Sequence, residues 1–366
     1  MKISAEKLAG RKVWRMDNDR LGLTLMEGGG HIAGLELKDR PGVNPFWTPI
    51  WKTIEPWAYR PVDEKRYAAR LLAAICGHNL CLGAFGEPSP EEIRAGLGGH
   101  GEAPVVRWTV KKKSITARGI SLTYGCRLPL VEMDFERTLT MNRNSAVISV
   151  CEKVKNLARR DVPFTMCEHV TLGPPFLERG VTLFDLSATR GHTFPGSFSD
   201  KQRLKADTDF VWPSAPGARG RPVDLRTINP AIKSSDFTTQ LMDPRREQAW
   251  FSAVNPRLGL MIAYIWKRVD FPWLGNWEEN LGRTTVPWNG KSLTRGMEFS
   301  NTPYPIGLRQ SVSLGRLFGV PTYDWLPALS ARTLEYSIIA QPIDARCKGV
   351  AGIRPSGSAF EIDLLV

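Results

Sequence analysis

The residues best placed to move protons in this chain are His169 and Glu298. His169 lies in TMCEHVTLGPP, where a strand-like run meets a Gly-Pro-Pro break. An imidazole at a strand end facing a cleft can give or take a proton near neutral pH. Glu298 lies in LTRGMEFSNTPYP, an apolar strand-like stretch followed by a polar, proline-rich turn. Burial there raises a carboxyl pKa unless charge or hydrogen bonds offset it, which suits a base. The bland alternatives are a structural pairing of Glu298 with Arg295 and a satisfied, hydrogen-bonded imidazole at His169.

A third histidine, His100, sits in GGHGEAPVVRW. Glycines on both sides make this either a plain turn or a place cleared for something to approach the ring. A short helix leads into it. In PSPEEIRAGLGG, Ser89 suits an N-cap, Pro90 the first helical position and Glu92 the capping box, with Gly96 or Gly98 as the stop.

The stretch VDFPWLGNWEENLGRTTVPWNG is the densest in aromatic and polar side chains, and it reads as a loop. Trp273, Asn276, Trp277, Glu278, Glu279 and Asn280 offer stacking faces and hydrogen-bonding arms within a few residues. A buried polyhydroxylated ligand needs both, because each hydroxyl must find a partner. The chain holds 12 tryptophans, several beside Pro, Gly or Asn. They suit either sugar-stacking faces or pins that hold long loops to a sheet.

Other chemistries find no motif. There is no GxSxG elbow, no GxxxxGK[ST] phosphate loop and no HExxH pair. GGGHIAG lacks the helix that a dinucleotide fingerprint requires. The 6 cysteines form no CxxC pair, and His100, Glu102 and His169 lack metal-ligand spacing. A net charge of +12 comes from dispersed Lys and Arg, clustered only at Lys111 to Lys113, with no nucleic-acid module beside them. No apolar run approaches the ~20 residues that span a bilayer. With no export-type apolar core at the start and thiols spread through apolar runs, a reducing, cytoplasmic setting is expected. Neither nucleic acid nor membrane is expected as a partner.

Short alternating segments must position these residues. LGLTLMEGGGHIAGLEL reads as two strands around a glycine turn, and FERTLTM and AVISVCEKVKN as a hairpin around Asn142 to Asn144. VPFTMCEHVTL, LGLMIAYIWKRV, RTLEYSIIAQPI and AFEIDLL add more strands. Tyr67, Leu71, Leu72 and Ile75 suit one helical face ended by Gly77. Ser199 to Lys233, rich in Pro, Gly and Arg, reads as a long surface excursion. Many strands and few helices imply a β-sandwich of antiparallel sheets.

In the order and spacing of its motifs, the sequence resembles the galactose mutarotase-like superfamily, the aldose 1-epimerases and their relatives. The resemblance runs from GGGHIAGLEL and NPFWTPIW through GHNLCLGAFGEPSPEEIRAGLGGHGEAP and VKNLARRDVPFTMCEHVTLGPPFL to FPWLGNWEEN and RGMEFSNTP. It implies an all-β supersandwich of twisted antiparallel sheets spanning residues 1–366 as one domain. It also implies roles. His169 matches the general acid on the ring oxygen, and Glu298 the general base on the anomeric hydroxyl. His100 with Gly101 matches a histidine that holds the substrate, and Asp236 in KSSDF matches a sugar-binding aspartate. The family often carries an arginine and asparagines before the substrate-binding histidine, whereas here CGHNLCLGAFGEP has no arginine.

The expected activity is therefore anomer interconversion of a small-molecule sugar by proton transfer alone, with no cofactor and no metal. Trp273, Asn276 and Trp277 are expected to line the cleft, and His169 and Glu298 to stand a sugar ring's width apart. The competing readings are a carbohydrate-binding protein without catalysis and a mutarotase for phosphorylated or acidic sugars. The latter requires several Arg or Lys side chains converging on the cleft.

Overall fold

The alternating segments become strands with one face buried. In Met133–Asn142, Met133, Phe135, Leu139 and Met141 point inward between more exposed neighbours. The next strand, Val147–Asn156, pairs with it antiparallel, as the hairpin pattern predicts. The computed structural model describes residues 1–357 and 359–366. Among these, thirteen strands form one sheet and eight another, and the main apolar core fills the space between them. The all-β sandwich with a few short helices is the architecture the sequence predicts. No helix among the described residues is long and apolar enough to cross a membrane.

Five strands in the middle of the larger sheet carry the site. They are β1 (His78–Leu82), β2 (Met166–Leu172), β3 (Ser234–Met242), β4 (Trp273–Asn280) and β5 (Leu293–Ser300). Across the sheet they run β1-β2-β5-β4-β3, every pair antiparallel. Leu80, Met166, Val170, Leu274, Met297 and Phe299 point into the core between the sheets. Period-2 alternation then turns Cys81, His169, Phe237, Trp277 and Glu298 to the opposite, outer face. That face is covered by aromatic and aliphatic side chains from loops and short helices, Trp51, Leu71, Leu72, Phe194 and Phe198 among them.

The segment 273–280 is therefore strand, not loop. Its mixed composition hides the alternation because polar residues fill the inward positions. Asp236, Glu278 and Arg295 are register neighbours on β3, β4 and β5. Arg203 reaches into this row with Nε 2.9 Å from Asp236 and Nη2 2.8 Å from Glu278. Paired charges satisfy one another there, so the core tolerates them.

Other elements differ in detail. The helical face expected from Tyr67 to Ile75 is two short helices, Glu64–Tyr67 and Arg70–Ala74, separated where Ala68 takes φ 62°. The helix before His100, Pro90–Arg94, has the expected capping box: Ser89 Oγ accepts from the Glu92 N–H, and the Glu92 carboxylate accepts from the Ser89 N–H. The expected excursion at 199–233 adds three short strands to the sheet's edge and buries Leu204, Phe210, Ala215 and Leu225 in a small core of its own.

Candidate active site

β2 and β5 place His169 directly opposite Glu298. In an antiparallel pair such residues project from the same face at the same height. Glu298 Oε1 lies 3.1 Å from His169 Nε2, with both side chains buried. The contact lacks the alignment of a hydrogen bond, and Oε1, itself buried, has no other hydrogen-bond partner. His169 Nδ1 sits 2.9 Å from Thr171 Oγ1, which leaves Nε2 to face Glu298. The expected separation of a sugar ring's width is thus not observed. Direct opposition in the register makes the two groups immediate neighbours.

Two glycines clear room beside the carboxylate. A Cβ on Gly296 would stand 2.1 Å from Glu298 Oε1, and one on Gly275 would meet Phe237 Cζ at 2.7 Å. Gly275 is the residue opposite Glu298 on β4. Arg295 is not the partner of Glu298. Lying one residue from Gly296, it points to the core face and donates to the Leu225 carbonyl at 2.6 Å.

Burial sets the protonation of this pair. Desolvation pushes the Glu298 carboxyl up to about 8, against the pull of His100. Desolvation, with the nearby charge of His100, holds the His169 imidazole well below its usual range. The two directions agree: at neutral pH the pair keeps one proton and no net charge, with that proton resting on Glu298.

His100 comes to the same place from the opposite wall. It adopts φ 64°, a left-handed conformation that histidine enters more readily than β-branched residues do. Its backbone N–H donates to the Gly86 carbonyl at 2.9 Å, and Nδ1 accepts from the Gly86 N–H at 3.2 Å. The next residue, Gly101, has φ 78°, and a Cβ there would stand 2.3 Å from the Leu82 carbonyl oxygen. The glycine is required so that the loop can bridge to the end of β1. The ring then stacks on Phe85 at 5.8 Å and meets His169 edge-on at 5.1 Å. Burial opposes its charge, but the Cys81 sulfur and the Glu298 and Glu87 carboxylates outweigh burial and raise its pKa. Glu102, by contrast, turns away and accepts the N–H groups of Leu130 and Val131.

These groups share a cavity of about 400 Å³, within the roughly 300–1,000 Å³ of small-molecule sites. His100, His169 and Glu298 line it together, and Trp277 forms part of its wall. Three expected binding residues do not line it. Trp273 shares the outer face with Trp277 but lies under a neighbouring hairpin, where Nε1 donates to the Pro321 carbonyl at 3.0 Å. Asn276 is one residue out of phase and points to the core face, 3.4 Å from Thr238 Oγ1. Asp236 also points inward and is consumed by Arg203, accepting its backbone N–H at 2.8 Å and its Nε at 2.9 Å.

The sequence reading missed Arg283, Phe237 and Glu87, which line the cavity, whereas Trp288, one of the tryptophans beside a Pro or Asn that suit a sugar-stacking face, does line it. Arg283 stands three residues beyond β4, in the turn that closes the outer face. Its guanidinium lies 5.5, 5.3 and 5.2 Å from the rings of Phe198, Trp277 and Trp288. Trp288 stacks flat on Trp47 at 5.6 Å, which anchors that wall. Strand phase was the available signal: once 273–280 is strand, the chain must turn back over the outer face just after it.

This arrangement of sheets is the fold of the aldose 1-epimerase and galactose mutarotase-like proteins. A candidate aldose 1-epimerase from Klebsiella pneumoniae superposes with a TM-score of 0.67 at 14% identity, over 92% of this chain and 80% of that one. A galactose mutarotase-like protein from Clostridium acetobutylicum gives 0.60 at 13% identity, over 93% and 99%. A galactose mutarotase related enzyme from Lactobacillus acidophilus gives 0.56 at 12%, over 91% and 98%. No protein-family model and no curated protein sequence matches the chain.

Proposed function

We propose that the protein interconverts the α- and β-anomers of a reducing sugar, with Glu298 and His169 as the proton-transfer pair and His100 orienting the ring. The observation that carries this reading is the 3.1 Å juxtaposition of Glu298 Oε1 and His169 Nε2 on the cavity floor. Anomerisation acts on two oxygens attached to the same carbon, so the groups that serve them must stand side by side. Transfer of the shared proton from Glu298 to His169 prepares the pair. The Glu298 carboxylate then takes the proton from O1 as the C1–O5 bond breaks, and His169 Nε2 gives its proton to O5. Rotation about C1–C2 and reversal of both transfers close the other anomer and restore the pair. No cofactor enters the cycle.

Among the cavity's described lining residues, Arg283 is the one Arg or Lys, short of the several that a phosphorylated or acidic sugar requires. The test is polarimetric or NMR equilibration of freshly dissolved α-aldoses across a panel of sugars. Acceleration over buffer is expected for at least one. Calorimetric sugar binding without any acceleration would replace this reading with that of a non-catalytic binding protein.

A further inference from the structure

We propose that the cavity selects a reducing sugar bearing an apolar group on the ring carbons remote from the anomeric centre. This rests on the anomerisation reading of the same site. His100, His169 and Glu298 gather at the floor, where the hemiacetal edge would sit, and of the other lining side chains only Glu87, Ser197 and Arg283 carry a charge or a hydroxyl. One wall is aliphatic. Leu71, Leu72 and Ile75 come from the helix Arg70–Ala74 and its end, and the two leucines are half-buried. Phe194, Phe198, Phe237, Trp277 and Trp288 supply an aromatic wall.

Arg283 does not make that wall a bare anion site. Its Nε lies 3.4 Å from Glu279 Oε2, and its plane extends the aromatic surface through Phe198, Trp277 and Trp288. A free hexose carries a hydroxyl on nearly every ring carbon. Against leucine and phenylalanine those hydroxyls lose water and gain no partner, which opposes binding. An alkyl or aryl group in their place buries its surface on both walls, which favours it.

The experiment measures dissociation constants of the intact protein by tryptophan fluorescence and calorimetry. The probes, in the galacto and gluco series, are the free hexose, its 6-deoxy form, its 6-O-benzyl ether and the hexuronate. In the series that binds better, the benzyl ether is expected to bind at least tenfold tighter than the hexose, with the 6-deoxy sugar between them. A hexose or hexuronate that binds as tightly as the ether would overturn the proposal, as would an ether that fails to bind at millimolar concentration. Leu72→Asn should reduce the ether-to-hexose preference at least threefold, and an unchanged preference removes the aliphatic wall from the account. Binding is read without turnover. Absent anomerisation with a retained ether preference therefore fails only the functional reading, and rapid anomerisation without the preference fails only this one.

Discussion

His169 on β2 and Glu298 on β5 face each other across one register position, with Oε1 and Nε2 3.1 Å apart. Sheet geometry alone sets this relation, since no loop intervenes between either residue and the core of the sandwich. A site built on paired central strands is held more precisely than one built on loops. The same burial that fixes the pair lifts Glu298 and lowers His169, leaving one proton for both.

That shared proton sets the pH profile. The working state has one proton on the pair, and it is lost as pH rises through the Glu298 value of about 8. Its second proton goes onto His169 only well below the usual imidazole range. kcat/KM for anomerisation should therefore fall tenfold per pH unit above about 8. A rate that rises through pH 8 would show that the ionised pair is the working form.

Glu298 should also weigh on stability. Its folded pKa of about 8 is above the ordinary 4.5, so the native state holds a proton that the unfolded chain releases between those values. Stability from this group is complete below pH 4.5 and declines as pH rises towards 8. Glu298→Gln removes the titration. The variant should match the wild type near pH 4 and exceed it by roughly 2–4 kcal/mol at pH 8, read by urea unfolding at the two pH values.

Gly296 gives a steric test of the same carboxylate. A Cβ at this position would stand 2.1 Å from Glu298 Oε1, so Gly296→Ala must displace the carboxylate from His169. Steady-state kinetics should show kcat reduced about 10- to 100-fold, the scale of a misplaced catalytic group. Far-UV circular dichroism should be unchanged.

The two tryptophans of β4 should separate binding from packing. Trp277 lines the cavity, whereas Trp273 is covered and donates to the Pro321 carbonyl. Trp277→Phe should raise KM several-fold. Trp273→Phe should leave KM unchanged and lower unfolding stability by about 1 kcal/mol through the lost hydrogen bond. Equal effects on KM would contradict the face assignment.

His31 offers a control away from the chemistry. Its Nε2 donates to the Pro104 carbonyl at 3.0 Å and its Nδ1 accepts from the Cys76 N–H at 3.2 Å, which requires a neutral ring. Burial, and then Arg11, lower its pKa to about 3. A depressed folded value contributes stability above pH 6.5 that is lost as pH falls towards 3. His31→Gln should flatten this acid-side loss in a chemical-unfolding series without altering the pH profile of catalysis.

The strands and the helix cap were legible because they rest on local rules: alternation in Met133–Asn142 and the Ser89, Pro90, Glu92 cap. So was the convergence of His100, His169 and Glu298, through the resemblance of their motifs to a known family. Strand 273–280 was not, because Glu278 and Asn276 occupy core-facing positions where alternation leads one to expect apolar side chains. Misread as a loop, it lent Trp273 and Asn276 a role that their phase denies them. Asp236 failed for a related reason, since Arg203, 33 residues away in sequence, already occupies its carboxylate. Arg283 could not be placed without the turn that follows β4.

The most direct measurement of the central claim is exchange NMR of α/β interconversion at pH 7 for wild type, Glu298→Gln, His169→Asn and the double variant. If the opposed pair acts as one proton-transfer unit, each single variant loses about 10²–10⁴-fold in rate. The double variant then loses little more than the worse single, because the two residues act together. Glu298→Gln and His169→Asn rates equal to wild type, or losses that simply multiply, would contradict it.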